Sequence, residues 1–279
     1  MTRNGSSPNT ANYSSCAKYE TRRQAGFFYL YTMEQIVYKE FRPDQALAPF
    51  IDAFWTITGN NTTPQPDTIL PDGCVDIILN TGPGFPTHHG TTLMNSGEAY
   101  LVGTMTRYIE MVRPPATRLV GIRFKPGGFS FFYDHTLLRG AADRTIEFDR
   151  TLIPSIDPMT TDPAPILDRF FTKRLSQPKQ PIQPLITAIR QQKGQLTVSQ
   201  LARRNFITIR QLERLFQLHL DLTPKAFINF VRCQSALQEI RSNPGQKRLL
   251  DIACECGYYD HAHLSNEIKK YTGSAPSAI

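Results

Sequence analysis

Two spacings of apolar residues divide this chain. From residue 34 to about residue 135, apolar residues come in short runs broken by turn formers, the pattern of strands. Ile69-Leu70 and Val75-Asp76-Ile77-Ile78-Leu79 flank Pro71-Asp72-Gly73, a turn sequence between two apolar runs. Residues 99–103, 108–112 and 118–124 are further strand candidates, whereas residues 143–152 and 166–175 read as helical or irregular. The expected body is mainly β, a barrel or a sandwich, over residues 34–175. Ahead of it, residues 1–33 are rich in Asn, Ser, Thr and Arg and lack periodicity. They are expected to be a disordered extension, with translation starting at Met33.

Residues 176–184 hold three prolines among nine residues, which suits a semi-rigid linker. Beyond it, over 185–279, the apolar period becomes helical and repeats. Thr197-x-x-Gln200 is a capping box ahead of Leu201-Ala202, and after a break at Asn205-Phe206 a second box, Thr208-x-x-Gln211, opens the next helix. Leu212, Leu215 and Phe216 give that helix one buried face. Thr223-Pro224 starts a helix of about nineteen residues, roughly 28 Å long. The pattern then returns at an offset of 51 to 52 residues: Ile252-Ala253 for Leu201-Ala202, Gly257 at the turn, Leu264 and Ile268 for Leu212 and Phe216, Pro276 for Pro224.

A short helix, a tight turn and a capped second helix make a helix-turn-helix unit. Ala202 is small enough to let the two helices approach closely. The outward face of the second helix carries Arg210, Glu213, Arg214 and Gln217. Arg can bond guanine bidentately, and Glu can accept from the cytosine amino group. One such unit could be any helical hairpin. Two in register, spaced near one turn of B-DNA, point to successive major grooves.

Charge agrees with this division. Residues 184–279 hold 13 Lys+Arg against 7 Asp+Glu, while residues 1–183 hold 18 against 17, so the basic excess sits with the repeat. The longest apolar run near the start, Phe27-Phe28-Tyr29-Leu30-Tyr31, is far short of the ~18 residues of a membrane span, which argues against a membrane partner. Five scattered cysteines without a Cys-x-x-Cys fit a reduced cytoplasmic protein.

Residues 185–279 resemble the DNA-binding domain of AraC/XylS-type transcription regulators. The matching stretches are LTVSQLARRNFITIRQLERLFQLHLDLTPKAFINFVRCQSAL and LLDIACECGYYDHAHLSNEIKKYTGSAPSAI. The family's Leu-x-Arg-x-Phe appears as Leu212, Arg214 and Phe216, its Gly-aromatic turn as Gly257-Tyr258, and its closing Gly-x-x-Pro as Gly273 and Pro276. By this resemblance the base-facing positions of the first unit fall on Arg210, Glu213 and Arg214. Those of the second fall on His261, Ala262, His263 and Asn266, where the family usually has Arg in place of Asn266. Thr208, Gln217, Lys269 and Lys270 complete the expected DNA contacts. More faintly, Trp55, ILPDGCVDIILN and GIRFKPGGFSFFY resemble an uncharacterised domain that precedes this DNA-binding domain in some AraC-type regulators. That implies a sensing or dimerising module. A lone Trp and a polar strand-turn cluster, in which Asp76 and Lys125 could also converge, place the expected effector contacts at Trp55, Asp72 and Arg123, although Asp72 reads first as a turn former whose side chain bonds the following backbone. Double-stranded DNA is the expected partner, while RNA polymerase, a small effector and a second copy of the chain remain open.

Rival chemistries are weaker. Cys254-x-Cys256 with His261-x-His263 offers zinc-type ligands, but thiols two residues apart on a helix diverge, so no metal is expected. Cys74 reads as an apolar filler. No catalytic triad, phosphate loop or paired carboxylates stand out, so neither an enzyme nor a cofactor is expected. The alternative is a sensor enzyme or alkyl-transfer protein that carries the same DNA-binding domain.

Overall fold

A computed structural model describes residues 36–59, 63–87, 92–178, 180–243 and 245–279. The expected disordered extension, residues 1–33, lies outside the described residues. Six strands form one antiparallel sheet: β1 (Ile36–Phe41), β2 (Ile51–Gly59), β9 (Arg118–Phe124), β4 (Val75–Asn80), β7 (Ala99–Val102) and β10 (Thr145–Phe148), in that order across the sheet. Its edge strands β1 and β10 do not pair with each other, so the sheet stays open. β3 (Gln65–Ile69) pairs with β8 (Ile109–Arg113), and β5 (Phe85–Pro86) with β6 (Leu93–Met94), as two separate ribbons.

All three strand candidates at 99–103, 108–112 and 118–124 are strands. The turn at Pro71-Asp72-Gly73 also forms, with the Cys74 amide donating to Asp72 Oδ1 at 2.6 Å. It is not a hairpin, however. β3 belongs to a ribbon and β4 to the main sheet, so the turn carries the chain from one layer to the next. Residues 143–152 contain β10 and a 3-10 turn, Arg150–Leu152, capped by Asp149. A four-residue strand is too short to show a period.

Strand alternation sorts the sheet into two faces. Phe54, Val75, Ile77, Leu79, Val120, Ile122 and Phe124 point one way, into a core closed by Phe129, Phe132 and the helix α1 (Ala164–Arg174), which contributes Leu167 and Phe171. Trp55, Ile57, Ile78, Tyr100 and Leu119 point the other way, toward the two ribbons. On that second face Asp76 is directly opposite Arg123, and Trp55 opposite Gly121. A side chain at 121 would overlap the indole, since its Cβ would fall 1.9 Å from the Trp55 ring.

The C-terminal region has its own core. Its helices are α2 (Gln183–Gln191), α3 (Val198–Arg204), α4 (Ile209–Leu220), α5 (Pro224–Arg241), α6 (Leu249–Glu255) and α7 (His261–Thr272), closed by a 3-10 turn at Pro276–Ala278. The end of the Pro-rich stretch is already helical: Pro184 falls in the first turn of α2, where its missing N–H costs nothing, and Ile182 is buried. Leu201, Ala202, Leu212 and Phe216 of α3 and α4 and Ile252, Ala253, Leu264 and Ile268 of α6 and α7 all pack around α5 in one cluster.

The two regions touch along several seams. His219 Nδ1 lies 2.8 Å from Ser130 Oγ, and the Gln183 amide donates to Gly127 O at 3.0 Å. Gly73, at φ 75°, packs against Phe230 of α5. The Ala142 N–H donates to Asp221 Oδ2 at the end of α4 (3.0 Å), and the Tyr108 ring covers Gly273 at the end of α7. Those last two contacts share a base, because Thr106 bonds Asp143 through its N–H (2.7 Å) and its hydroxyl (2.6 Å).

Candidate nucleic-acid interface and effector cavity

Both capping boxes form. Thr208 Oγ1 accepts from the Gln211 N–H at 3.1 Å, and Gln211 Oε1 accepts from the Thr208 N–H at 2.8 Å, which fixes the start of α4. Thr197 and Gln200 do the same for α3. With Leu212 and Phe216 buried, Arg210, Glu213, Arg214 and Gln217 are left exposed on the opposite side of α4. Arg214 Nη2 reaches Gln180 Oε1 of the Pro-rich segment at 3.2 Å, and Gln217 bonds Asp221. Thr208 is exposed too, but its hydroxyl is engaged in its own cap.

In the second unit Asp260 caps α7, accepting from the His263 N–H at 2.7 Å. Leu264, Ile268 and Tyr271 are buried, while His261, Ala262, His263, Asn266, Lys269 and Lys270 are exposed. The His263 ring stands edge-on to Tyr258. The N-cap of α6, Arg248, makes no side-chain cap. Cys254 is exposed and Cys256 buried, so the two thiols do not face one site. Sequence reasoning passed over two aromatics at the turns: Phe206 is 97% exposed and Tyr259 91% exposed. Arg203 and Arg204, in the last turn of α3 just before Phe206, are exposed as well.

The β region brings Trp55, Asp72 and Arg123 together, as expected, around a cavity of about 100 Å³. Its walls are mostly apolar, including Ile57, Ile69, Met94, Met105, Met111 and Leu119. At one end the Trp55 indole N–H donates to Asp76 Oδ1 at 2.7 Å. The Arg123 guanidinium, fully buried, meets Glu40 at 3.2 Å, Asp76 at 3.5 Å and Asp72 at 3.7 Å. Burial pushes the Asp72 carboxyl up to about 7 against the pull of Arg123, and raises Asp76 as well. Lys125 does not join this cluster, since its ammonium donates to Ala48 O at 2.6 Å. Tyr38 and Glu40 were missed, though both sit at alternate positions on the sheet's edge strand. The Cys74 thiol is buried, and burial raises it well above its ordinary range, with the Asp72 charge adding to the effect.

Residues 201–279 match a family described as a helix-turn-helix domain, and residues 39–146 match a domain of unknown function, DUF6597. A helix-turn-helix domain thus follows an uncharacterised domain. The transcriptional regulator CdhR of Pseudomonas aeruginosa is 35% identical over 82 residues, 29% of this chain and 24% of that protein. A probable thc operon regulatory protein of Rhodococcus erythropolis is 31% identical over 83 residues, 29% of this chain and 25% of that one. The chain therefore spans about a quarter of the length of these relatives. Among solved structures, ToxT of Vibrio cholerae aligns over 81% of this chain and 97% of its own, at 10% identity and a TM-score of 0.43. A probable AraC family regulator of Rhodopseudomonas palustris aligns over 35% of this chain and 91% of its own, at 21% identity and a TM-score of 0.32. No helix among the described residues is long and apolar enough to cross a membrane.

Proposed function

We propose that the protein is a sequence-specific DNA-binding transcription regulator that lays α4 and α7 into successive major grooves. One observation carries this reading. Two helix-turn-helix units share one core, and the outer faces of α4 and α7 are both exposed and both carry groove-competent side chains. α5, with 18 residues, is about 27 Å long, close to the ~34 Å between grooves on one side of B-DNA. Arg210, Glu213 and Arg214 supply base-edge contacts. Lys269 and Lys270, a turn beyond the base-facing positions of α7, supply phosphate contacts that position without specifying. Selecting bound fragments from genomic DNA, then titrating one over a range of salt concentrations, tests the reading. A single enriched motif with two boxes, bound with a steep salt slope, is expected. No enrichment over random fragments would reject it.

The β region acts as the sensor in this proposal. Its cavity, lined by Trp55, Asp72 and Arg123, is the effector site, and residues 34–175 also offer the surface for a second copy. A metabolite screen by thermal shift, paired with sedimentation, tests both roles; no shift together with a strict monomer would exclude both. Alkyl transfer through Cys74 is disfavoured, because burial and then the Asp72 charge raise its thiol well above the ordinary range despite the nearby Arg123, whereas a nucleophilic thiolate needs a lowered one.

A further inference from the structure

The cavity on the ribbon-covered face of the sheet is unbalanced in charge. Glu40, Asp72 and Asp76 all approach Arg123 within 4 Å, and Asp52, with its carboxyl raised by burial, lies in the same electrostatic field together with Lys125. Three acidic side chains thus gather on one buried guanidinium, and two of them, Asp72 and Asp76, line the cavity with it. Arg113, at the far side of the cavity, lies against Asp67, and that pair adds no net charge.

A second feature points the same way without involving the acids. Trp55 lies against Gly121, where any side chain would collide with it, and the Tyr38 ring is 6.2 Å from the indole. Both rings line the cavity. Aromatic faces attract cations, and the attraction grows when the cation is desolvated. An anion entering here would join three carboxylates already gathered on Arg123.

We infer that this cavity binds a small organic cation, an ammonium or amidinium group on a short apolar body, with Asp72 and Asp76 pairing the charge beside Trp55. The inference rests on the reading of the β region as an effector domain and adds the chemical class of the effector. Size narrows it further. The cavity of about 100 Å³ is smaller than the ~150 Å³ apolar cavity that accepts benzene, so the enclosed part of the ligand is no larger than a single small ring. The buried carboxyl of Asp72, held near 7, faces Arg123, Asp76 and Asp52. A bound cation draws its proton off, whereas a neutral hydrogen-bond acceptor would hold that proton in place. The two ligand classes therefore differ in the sign of their pH dependence.

Butylammonium, 1-butanol and butyrate share one chain and differ in the head group. Titrating each into the full chain at pH 6, 7 and 8 by calorimetry tests the inference. Butylammonium should bind at least about tenfold more tightly than the other two, and should tighten by about tenfold from pH 6 to 8 as Asp72 ionises. Asp72→Asn keeps an acceptor for the Cys74 N–H, and Asp76→Asn keeps one for Trp55. Each variant should lose most of the ammonium preference while remaining folded by circular dichroism. Equal or tighter binding of 1-butanol or butyrate, binding that is flat with pH, or no binding of any of the three would overturn the inference. Binding of the selected DNA by the same sample, without probe, separates the two readings. Intact DNA binding with no ammonium preference rejects the cation alone, and lost DNA binding rejects the regulator reading whatever the cavity holds.

Discussion

The two helix-turn-helix units share a frame and differ in how it is fastened. The first has a reciprocal capping box on each helix, whereas the second has an Asp cap on α7 and no side-chain cap on α6. At the turn the second unit uses Gly257 at φ 75°, while the first places Phe206 at φ 55°, a left-handed position that costs a side-chain-bearing residue. At the centre the first unit buries Phe216 where the second buries Ile268. The first unit thus has the larger core anchor and firmer caps, and its exposed face carries the two arginines. The second relies on a permissive turn and presents histidines and lysines. Fold and reading chemistry are concentrated in the same unit, which makes the first the expected specifier and the second the expected anchor.

The largest test of this asymmetry lies in the core. Phe216→Ala should destabilise the C-terminal region by about 3–5 kcal/mol and Ile268→Ala by about 2–5 kcal/mol, with the phenylalanine at the upper end. Chemical denaturation of residues 183–279 checks it, and an isoleucine variant that costs more would reverse the ranking. Next comes reading. Arg214→Ala should erase discrimination at one base position, about 1–3 kcal/mol, measured by titrating a selected operator and its point variants. If Arg214→Ala left base preference unchanged, the assignment of specificity to the first unit would be wrong. At the turns, Phe206→Gly should stabilise by several tenths of a kcal/mol and up to about 1, and Gly257→Ala should destabilise by about 1. Opposite shifts in melting temperature are the signature. The smallest effect is on phosphate contact: Lys269→Ala with Lys270→Ala should weaken binding evenly across sequences and flatten the salt slope by up to about two units. A change in base preference from this pair would move specificity into the second unit.

The readability of the sequence followed the same divide. Thr-x-x-Gln boxes act within four residues, so α3 and α4 could be read directly, as could the repeat that locates α6 and α7. The β region depends on partners far apart in the chain. Pro71-Asp72-Gly73 carries every local sign of a hairpin, yet it joins two different sheets, because pairing is decided by strands twenty or more residues away. Asp72 and Arg123 could be suggested as a pair, since polar residues interrupt apolar runs at both places. Glu40 could not: it reaches Arg123 across 83 residues, from an edge strand with no distinguishing motif.

One small bracket gives the molecule a gauge. Thr106 and Asp143 tie together two loops, one ending at Tyr108 over the tail of α7 and the other presenting Ala142 to the tail of α4. The jaws of this caliper are the two reading helices, and Gly103 and Met105, just before Thr106, form part of the cavity wall. The same short stretch of chain therefore borders the cavity and braces the far ends of both helices.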